Sequence, residues 1–173
     1  MLAAAPVAHA LTSEGQVWGG VGAASIQHAA PSAFGWWGPA VDIGGVFLLN
    51  DFWRLTLDAG ASHHFETTDE DDEPIGPHTV ASAAVGVRYA FDIAIYVPFA
   101  EVAAVVHPMG PPSSASPQGE LFSMRATLGF DYRKSRRISF GGAVNVYAPL
   151  SQLSDFPHYS SVRAHVGYHF HRH

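Results

Sequence analysis

From Gly15 to His171 the chain runs in segments of roughly ten to fourteen residues in which apolar side chains alternate with small or polar ones. Successive side chains on an extended strand point to opposite faces, so this period-two pattern describes strands with two different faces and excludes a helical chain. Leu121 to Tyr132 is the clearest case. Phe122, Met124, Ala126, Leu128, Phe130 and Tyr132 form one row, and Leu121, Ser123, Arg125, Thr127, Gly129 and Asp131 form the other. Ile138 to Ala148 and Ser161 to His171 repeat the pattern. Clusters of Gly, Pro, Asn, Asp and Ser punctuate the segments. Eight strands are expected, at 15–28, 40–49, 53–64, 79–91, 96–107, 120–132, 137–148 and 161–171. The first is the least defined, because Gly19, Gly20 and Gly22 hide its faces.

The connections alternate in length. Short ones fall at Asn50-Asp51, Asp92–Ile95 and Arg133–Arg136, and long ones at 29–39, 65–78, 108–119 and 149–160. An even strand number with short turns at one end and long loops at the other is how barrels that cross a bilayer are built.

Which face is buried decides between a soluble and a membrane barrel. A soluble barrel hides its apolar row; a bilayer barrel turns that row to lipid and keeps a polar interior. The charges inside the strands lie opposite the apolar rows: Asp42, Asp58, Glu101 and Asp131, matched by Arg54, Arg88, Arg125 and Arg163, with no Lys. Gly, Ala and Ser separate them, which suits a narrow interior where charges must pair, and Arg is the cation best made for pairing. Only 14% of the chain is Asp, Glu, Lys or Arg, against about 25% in an average soluble domain. The expected fold is therefore all-β: an eight-stranded antiparallel up-and-down transmembrane β-barrel.

The remaining composition closes off other classes. Seventeen Gly and twelve Pro exclude a coiled coil, and 47% hydrophobic residues exclude a disordered chain. No charge-free apolar run reaches the roughly 18 residues of a membrane-spanning helix. A net charge of −6 argues against a nucleic-acid partner, and without cysteine there is neither a disulfide nor a thiolate metal site. Residues 1–10 end in Ala8-His9-Ala10, a small-x-small pattern, and read as the remnant of a signal peptide or as a disordered segment. Residues 11–173 then form a single barrel domain. Aromatics are expected in two interfacial girdles: Trp18, Trp53, Tyr89, Phe91, Tyr96, Phe99, Tyr132 and Phe170 by the short turns, and Trp36, Trp37, Phe65, Phe122 and Tyr159 by the long loops.

The segments Val85-Gly86-Val87-Arg88-Tyr89, Val97-Pro98-Phe99-Ala100-Glu101 and Leu128-Gly129-Phe130-Asp131-Tyr132 resemble the hairpin motifs of small bacterial outer-membrane barrels, the group of the OmpA-like transmembrane domain, the OmpX/Ail-type proteins and OmpW. The resemblance covers roughly residues 15–171. It implies an outer-membrane location, and for the OmpA- and OmpX-like members an interior filled by Arg–carboxylate networks. Arg88, Glu101, Arg125 and Asp131 match that interior role. The chain departs from the family at its end, where Phe170 is followed by His171-Arg172-His173 instead of closing on an aromatic residue.

Three local features invite chemistry. Glu66, Asp69, Glu70, Asp71, Asp72 and Glu73 crowd one long loop, where oxygen ligands would suit Ca²⁺; a solvated charge run is the plainer account. Of the eleven histidines, His28, His63, His64, His78, His107 and His158 fall near the long-loop rim, and His165, His169, His171 and His173 share one face of the last strand. Imidazoles so placed could take Zn²⁺ or Cu²⁺. The candidate metal ligands are His63, His64, His107, Asp69, Asp71 and Glu73, although polar rim residues remain the simpler description and no cofactor is expected. His158 and Ser160 resemble the His/Ser pair of outer-membrane lipid A deacylases, but no acid follows to orient the imidazole, so no enzyme is expected. Arg133, Lys134, Arg136 and Arg137 form a basic cluster in a short turn, explained by solvation or by attraction to anionic lipid heads.

The expected function is structural or recognition-based: a porin-like shell with a side-chain-filled lumen, monomeric, contacting outer-membrane lipids and reaching extracellular partners through the loops 29–39, 65–78, 108–119 and 149–160. The alternatives are a narrow channel for small solutes, a rim enzyme acting on lipid A, and a soluble eight-stranded barrel holding an apolar ligand.

Overall fold

Period-two patterning leaves each strand with two unsatisfied edges, and closing the sheet on itself removes both. The computed structural model describes residues 14–27, 36–65, 67–68, 74–75, 78–91, 95–108, 120–150 and 158–171. Its strands are β1 (Glu14–Gln27), β2 (Trp36–Leu48), β3 (Trp53–His64), β4 (Thr67–Thr68), β5 (Pro74–Ile75), β6 (His78–Ala90), β7 (Tyr96–Pro108), β8 (Glu120–Arg133), β9 (Ile138–Pro149) and β10 (His158–His171). Eight of them close in the order β1-β10-β9-β8-β7-β6-β3-β2, every neighbouring pair antiparallel. The protein is an eight-stranded antiparallel β-barrel, with no helix among the described residues.

Short side chains set the turns at one end. Asn50 Oδ1 accepts hydrogen bonds from the amides of Phe52 (3.0 Å) and Trp53 (2.8 Å), and Ser135 Oγ accepts from those of Arg137 (3.2 Å) and Ile138 (3.0 Å). These are the local bonds that make Asn and Ser turn residues. This turn end also holds the first residues of β1 and the last of β10, paired as Glu14 with His171. The opposite, loop end carries the long connections.

Two strands begin earlier than their sequence suggests. β2 starts at Trp36 instead of 40, and β10 at His158 instead of 161. Gly38-Pro39 reads as a breaker, yet the ladder from β2 to β3 begins only at Ala40, so Pro39 stands where β2 pairs with β1 alone. A residue without an amide hydrogen is tolerated there. A further departure is the small β4–β5 ladder inside a segment expected to be loop throughout. The acidic residues 69–73 between its strands lie outside the described residues, as do residues 1–13.

The apolar rows face outward. Leu128 is 69% exposed and Ile43 68%, and Val21, Val41, Val102, Val144, Val146, Val162 and Val166 stand exposed around the ring. No Asp, Glu, Lys or Arg occurs among the described side chains of these outward rows; Ser25, His63, Thr79 and Ser160, polar members of these rows, sit near the loop end. In water this would be a continuous apolar patch far larger than soluble monomers carry. It is the lipid-facing belt of a transmembrane barrel, and it is the reverse of a soluble barrel.

The lumen as candidate functional site

With the outer wall given to lipid, the chemistry is inside. The structure turns the eight charges expected inside toward the lumen: Asp42 on β2, Arg54 and Asp58 on β3, Arg88 on β6, Glu101 on β7, Arg125 and Asp131 on β8, and Arg163 on β10. Seven are buried and Asp42 is half-buried. Charges removed from water persist only when paired and hydrogen-bonded, and five of these form one network. Arg125 presents its planar fork to Asp58, Nη1 to Oδ1 at 2.7 Å and Nη2 to Oδ2 at 2.6 Å, while Nη2 also donates to Glu101 Oε1 at 2.6 Å. Glu101 Oε2 accepts from Arg88 Nε at 3.0 Å. Arg88 Nη1 lies 3.9 Å from Asp131 Oδ2, whose Oδ1 meets His165 Nε2 at 2.6 Å.

Two geometries build this network. Arg88 and Glu101 are direct ladder partners on β6 and β7, so the wall's register makes that pair. Arg125 and Asp58 stand on β8 and β3, which are not neighbours, and only the length of the arginine joins them across the lumen.

Arg163 is held differently. Its guanidinium lies 4.1 Å from the Trp18 ring centroid, and its Nε and Nη1 have no hydrogen-bond acceptor among the described residues. Stacking on an indole face is the alternative to ion pairing that arginine allows. Gly44 makes the room: a Cβ there would stand 2.6 Å from the Trp18 ring. Arg88 uses both devices, since Phe99 stacks under it at 3.8 Å. Trp18 and Phe99, expected in the turn-end girdle, are therefore lumen residues, 6% and 3% exposed. Tyr159, expected in the loop-end girdle, likewise turns inward to Ser62. Each has the parity of an inward row, and a girdle position needs the opposite parity. Trp53, Tyr89, Phe91, Tyr96 and Tyr132 do stand in the turn-end belt as expected, joined by Phe52, with Trp53 against Tyr89 at 5.0 Å and Tyr96 against Tyr132 at 5.3 Å.

Toward the loop end the lumen holds no Asp, Glu, Lys or Arg among the described residues. Tyr159 OH is 3.0 Å from Ser62 Oγ, which is 3.0 Å from His64 Nε2; His107 Nε2 meets Ser123 Oγ at 2.9 Å. Thr127 donates to Asn145 Oδ1 and Asn145 Nδ2 to Ser161 Oγ, both at 2.8 Å. The Tyr147 and Tyr159 rings pack edge to face at 4.6 Å.

The metal candidates do not assemble. His63 points outward and bonds Thr79 Oγ1 at 3.0 Å, whereas its strand neighbour His64 points inward, because consecutive residues of a strand take opposite faces. His64 and His107 each pack against Tyr159, with ring centroids 6.3 and 6.0 Å from it, and each bonds a serine, Ser62 and Ser123. Asp69, Asp71 and Glu73 lie outside the described residues. On the last strand His165 bonds Asp131 and His169 bonds Ser139, so each imidazole has a partner other than its neighbour. Among the described residues no group of three His, Cys, Asp or Glu could hold a metal ion. Ser160 faces outward on β10, and the His158 side chain is outside the described residues.

At the turn end the lumen widens into a vestibule of about 830 Å³. Arg54, Arg133, Lys134 and Arg136 line it, with Glu14 and Asp51 as its acids among the described residues. Strand patterning carries no sign of this cavity, because it gathers residues from the strand ends and three different turns.

No protein-family model and no curated protein sequence matches the chain. Solved structures do. Neisserial surface protein A aligns with a TM-score of 0.68 over 90% of this chain and 97% of its own, at 13% identity. The outer membrane protein OprG from Pseudomonas aeruginosa aligns at 0.64 over 92% and 97%, with 15% identity. Ail, the attachment invasion locus protein of Yersinia pestis, solved with the heparin analogue sucrose octasulfate, aligns at 0.59 over 91% and 99%, with 11% identity. At such identities the likeness speaks for the fold, and the fold is that of the small transmembrane β-barrels of bacterial outer membranes.

Proposed function

We propose that this protein resides in a bacterial outer membrane as a closed barrel that anchors its long loops for surface interaction or supports membrane integrity, and that it does not conduct solutes in bulk. One observation carries the reading: the Arg125 guanidinium bound to Asp58 and Glu101 in the middle of the lumen, with all three side chains at most 3% exposed. An eight-stranded ring encloses only enough width for side chains, and here ion-paired ones occupy it. Among the structural neighbours, one is named a surface protein and another an attachment protein, in keeping with a role at the cell exterior. Catalysis has no part in this reading.

The test is permeation. Purified protein refolded into liposomes should give no swelling with a pentose sugar above the lipid-only rate, while a general porin swells them readily. Swelling at a porin-like rate would replace this reading with a channel. Location is tested by membrane fractionation and heat-modifiable gel migration: a chain that purifies as a monomer without detergent would remove the membrane altogether.

A further inference from the structure

The basic turn finds no use in a plugged, loop-presenting barrel, and the structure gives it a setting. Arg133, Lys134 and Arg136 do not wave free in the turn. Ser135 Oγ closes the turn on the Arg137 and Ile138 amides. The Arg133 amide donates to the Ile95 carbonyl at 2.8 Å on one flank, and the His169 amide to the Arg137 carbonyl at 2.8 Å on the other. Together with Arg54 on the facing wall they surround the turn-end vestibule, whose acids among the described residues are Glu14 and Asp51. Among the described residues, four cations against two acids leave an excess of two positive charges however those groups pair.

Two further observations narrow the ligand. Gln16 is 2% exposed on the vestibule lining; its Nε2 donates to Ser139 Oγ at 3.0 Å, and its Oε1 has no partner among the described residues. That oxygen is an unmet acceptor just beneath the vestibule surface, and a turn of the Gln16 side chain toward the cavity would offer it to a hydroxyl or amine hydrogen. Lys134 lines the vestibule and also places its Nζ 5.9 Å from the ring of Phe140, an exposed residue of the outward apolar row. One side chain thus spans the vestibule rim and the lipid-facing wall, beside the aromatic belt that marks headgroup depth.

We propose that the turn-end vestibule binds a phosphate group carrying a neighbouring hydroxyl, the chemistry of glycerol phosphate. Lys134, Arg136, Arg133 and Arg54 take the phosphate oxygens, and Gln16 Oε1 accepts the hydroxyl. The group is supplied either by the headgroup of an anionic phospholipid such as phosphatidylglycerol, whose acyl chains lie against the wall near Phe140, or by a soluble glycerol phosphate. The lipid source rests on the membrane location proposed above; the soluble one does not.

The experiment uses the whole protein in nanodiscs and in zwitterionic detergent, with heat-modifiable migration recorded on every sample so that loss of the barrel is seen separately from loss of binding. Native mass spectrometry measures retention of phosphatidylglycerol against phosphatidylcholine, and calorimetry measures sn-glycerol 3-phosphate and inorganic phosphate. The wild type should prefer phosphatidylglycerol, or bind glycerol phosphate more tightly than phosphate. Lys134→Gln with Arg136→Gln should weaken that binding about thirtyfold, roughly fivefold for each charge. Gln16→Leu should erase the preference for glycerol phosphate over phosphate. Arg137→Gln, in the same turn but off the vestibule lining, should stay within about twofold. Binding of the lipid alone identifies the headgroup as the source, and binding of the free compound alone identifies the soluble ligand. The proposal is overturned if a folded barrel shows neither preference, or if Arg137→Gln weakens binding as much as the double variant, since that pattern is diffuse charge attraction and not a site.

Discussion

The lumen has two sides that solve one problem in different ways. On the side of β3, β6, β7 and β8, buried charge is neutralised by opposite charge: Asp58, Arg88, Glu101, Arg125 and Asp131 bond one another. On the side of β1, β2 and β10, Arg163 lies on the Trp18 ring within a glycine-rich wall that includes Gly20, Gly22 and Gly44. Ion pairing needs partners aimed at each other, which ladder register and arginine length supply. Stacking needs room, which glycine supplies. The network side is therefore vulnerable to loss of a single charge and the stacked side to gain of a single methyl group.

Three substitutions would break or sharpen that comparison. Arg125→Ala should do the most harm, about 3–5 kcal/mol, because Asp58 and Glu101 would be left as buried charges without their shared partner. Urea unfolding in lipid vesicles followed by tryptophan fluorescence would measure it, and a loss under about 1 kcal/mol would mean that water already fills the lumen. Leu128→Arg probes the outer wall, at a position exposed to 69% on the mid-strand of β8. It should cost about 2–4 kcal/mol in a bilayer, and a neutral outcome would contradict the lipid-facing assignment. Gly44→Val should cost about 1–3 kcal/mol by driving a side chain into Trp18, and a compensating Trp18→Leu in the same chain should recover part of the loss. If it recovers nothing, the glycine is not there for the indole.

Much of this fold is legible in the residues themselves. The alternation in β8, β9 and β10 identifies both faces of each strand, and the inward charges can be named from the chain alone because each sits opposite an apolar row. Nearness to a strand end is the poorer guide. It puts Trp18 and Phe99 in a girdle, although Phe99 shares its parity with Glu101 and Val97, which are inward residues. In β1 the glycines leave no row against which Trp18 can be judged. Which charges meet is not legible at all. Arg54 and Arg88 face each other on adjacent strands, an arrangement that looks repulsive on paper, and Arg88 instead takes its partner from β7. The pairing of Arg125 with Asp58 depends on where strands three positions apart stand in the closed ring, and no local pattern carries that information. The vestibule is hidden for the same reason.

Arg125 has a mechanical consequence. A ring of hydrogen-bonded strands fixes its circumference but not its cross-section, and such a hoop can flatten toward an ellipse without any ladder bond parting. A rigid ionic spoke from β8 to β3, tied again to β7, holds the diameter. Under the uneven lateral pressure of the surrounding lipid, this barrel must break a buried salt bridge before it can lengthen along that diameter.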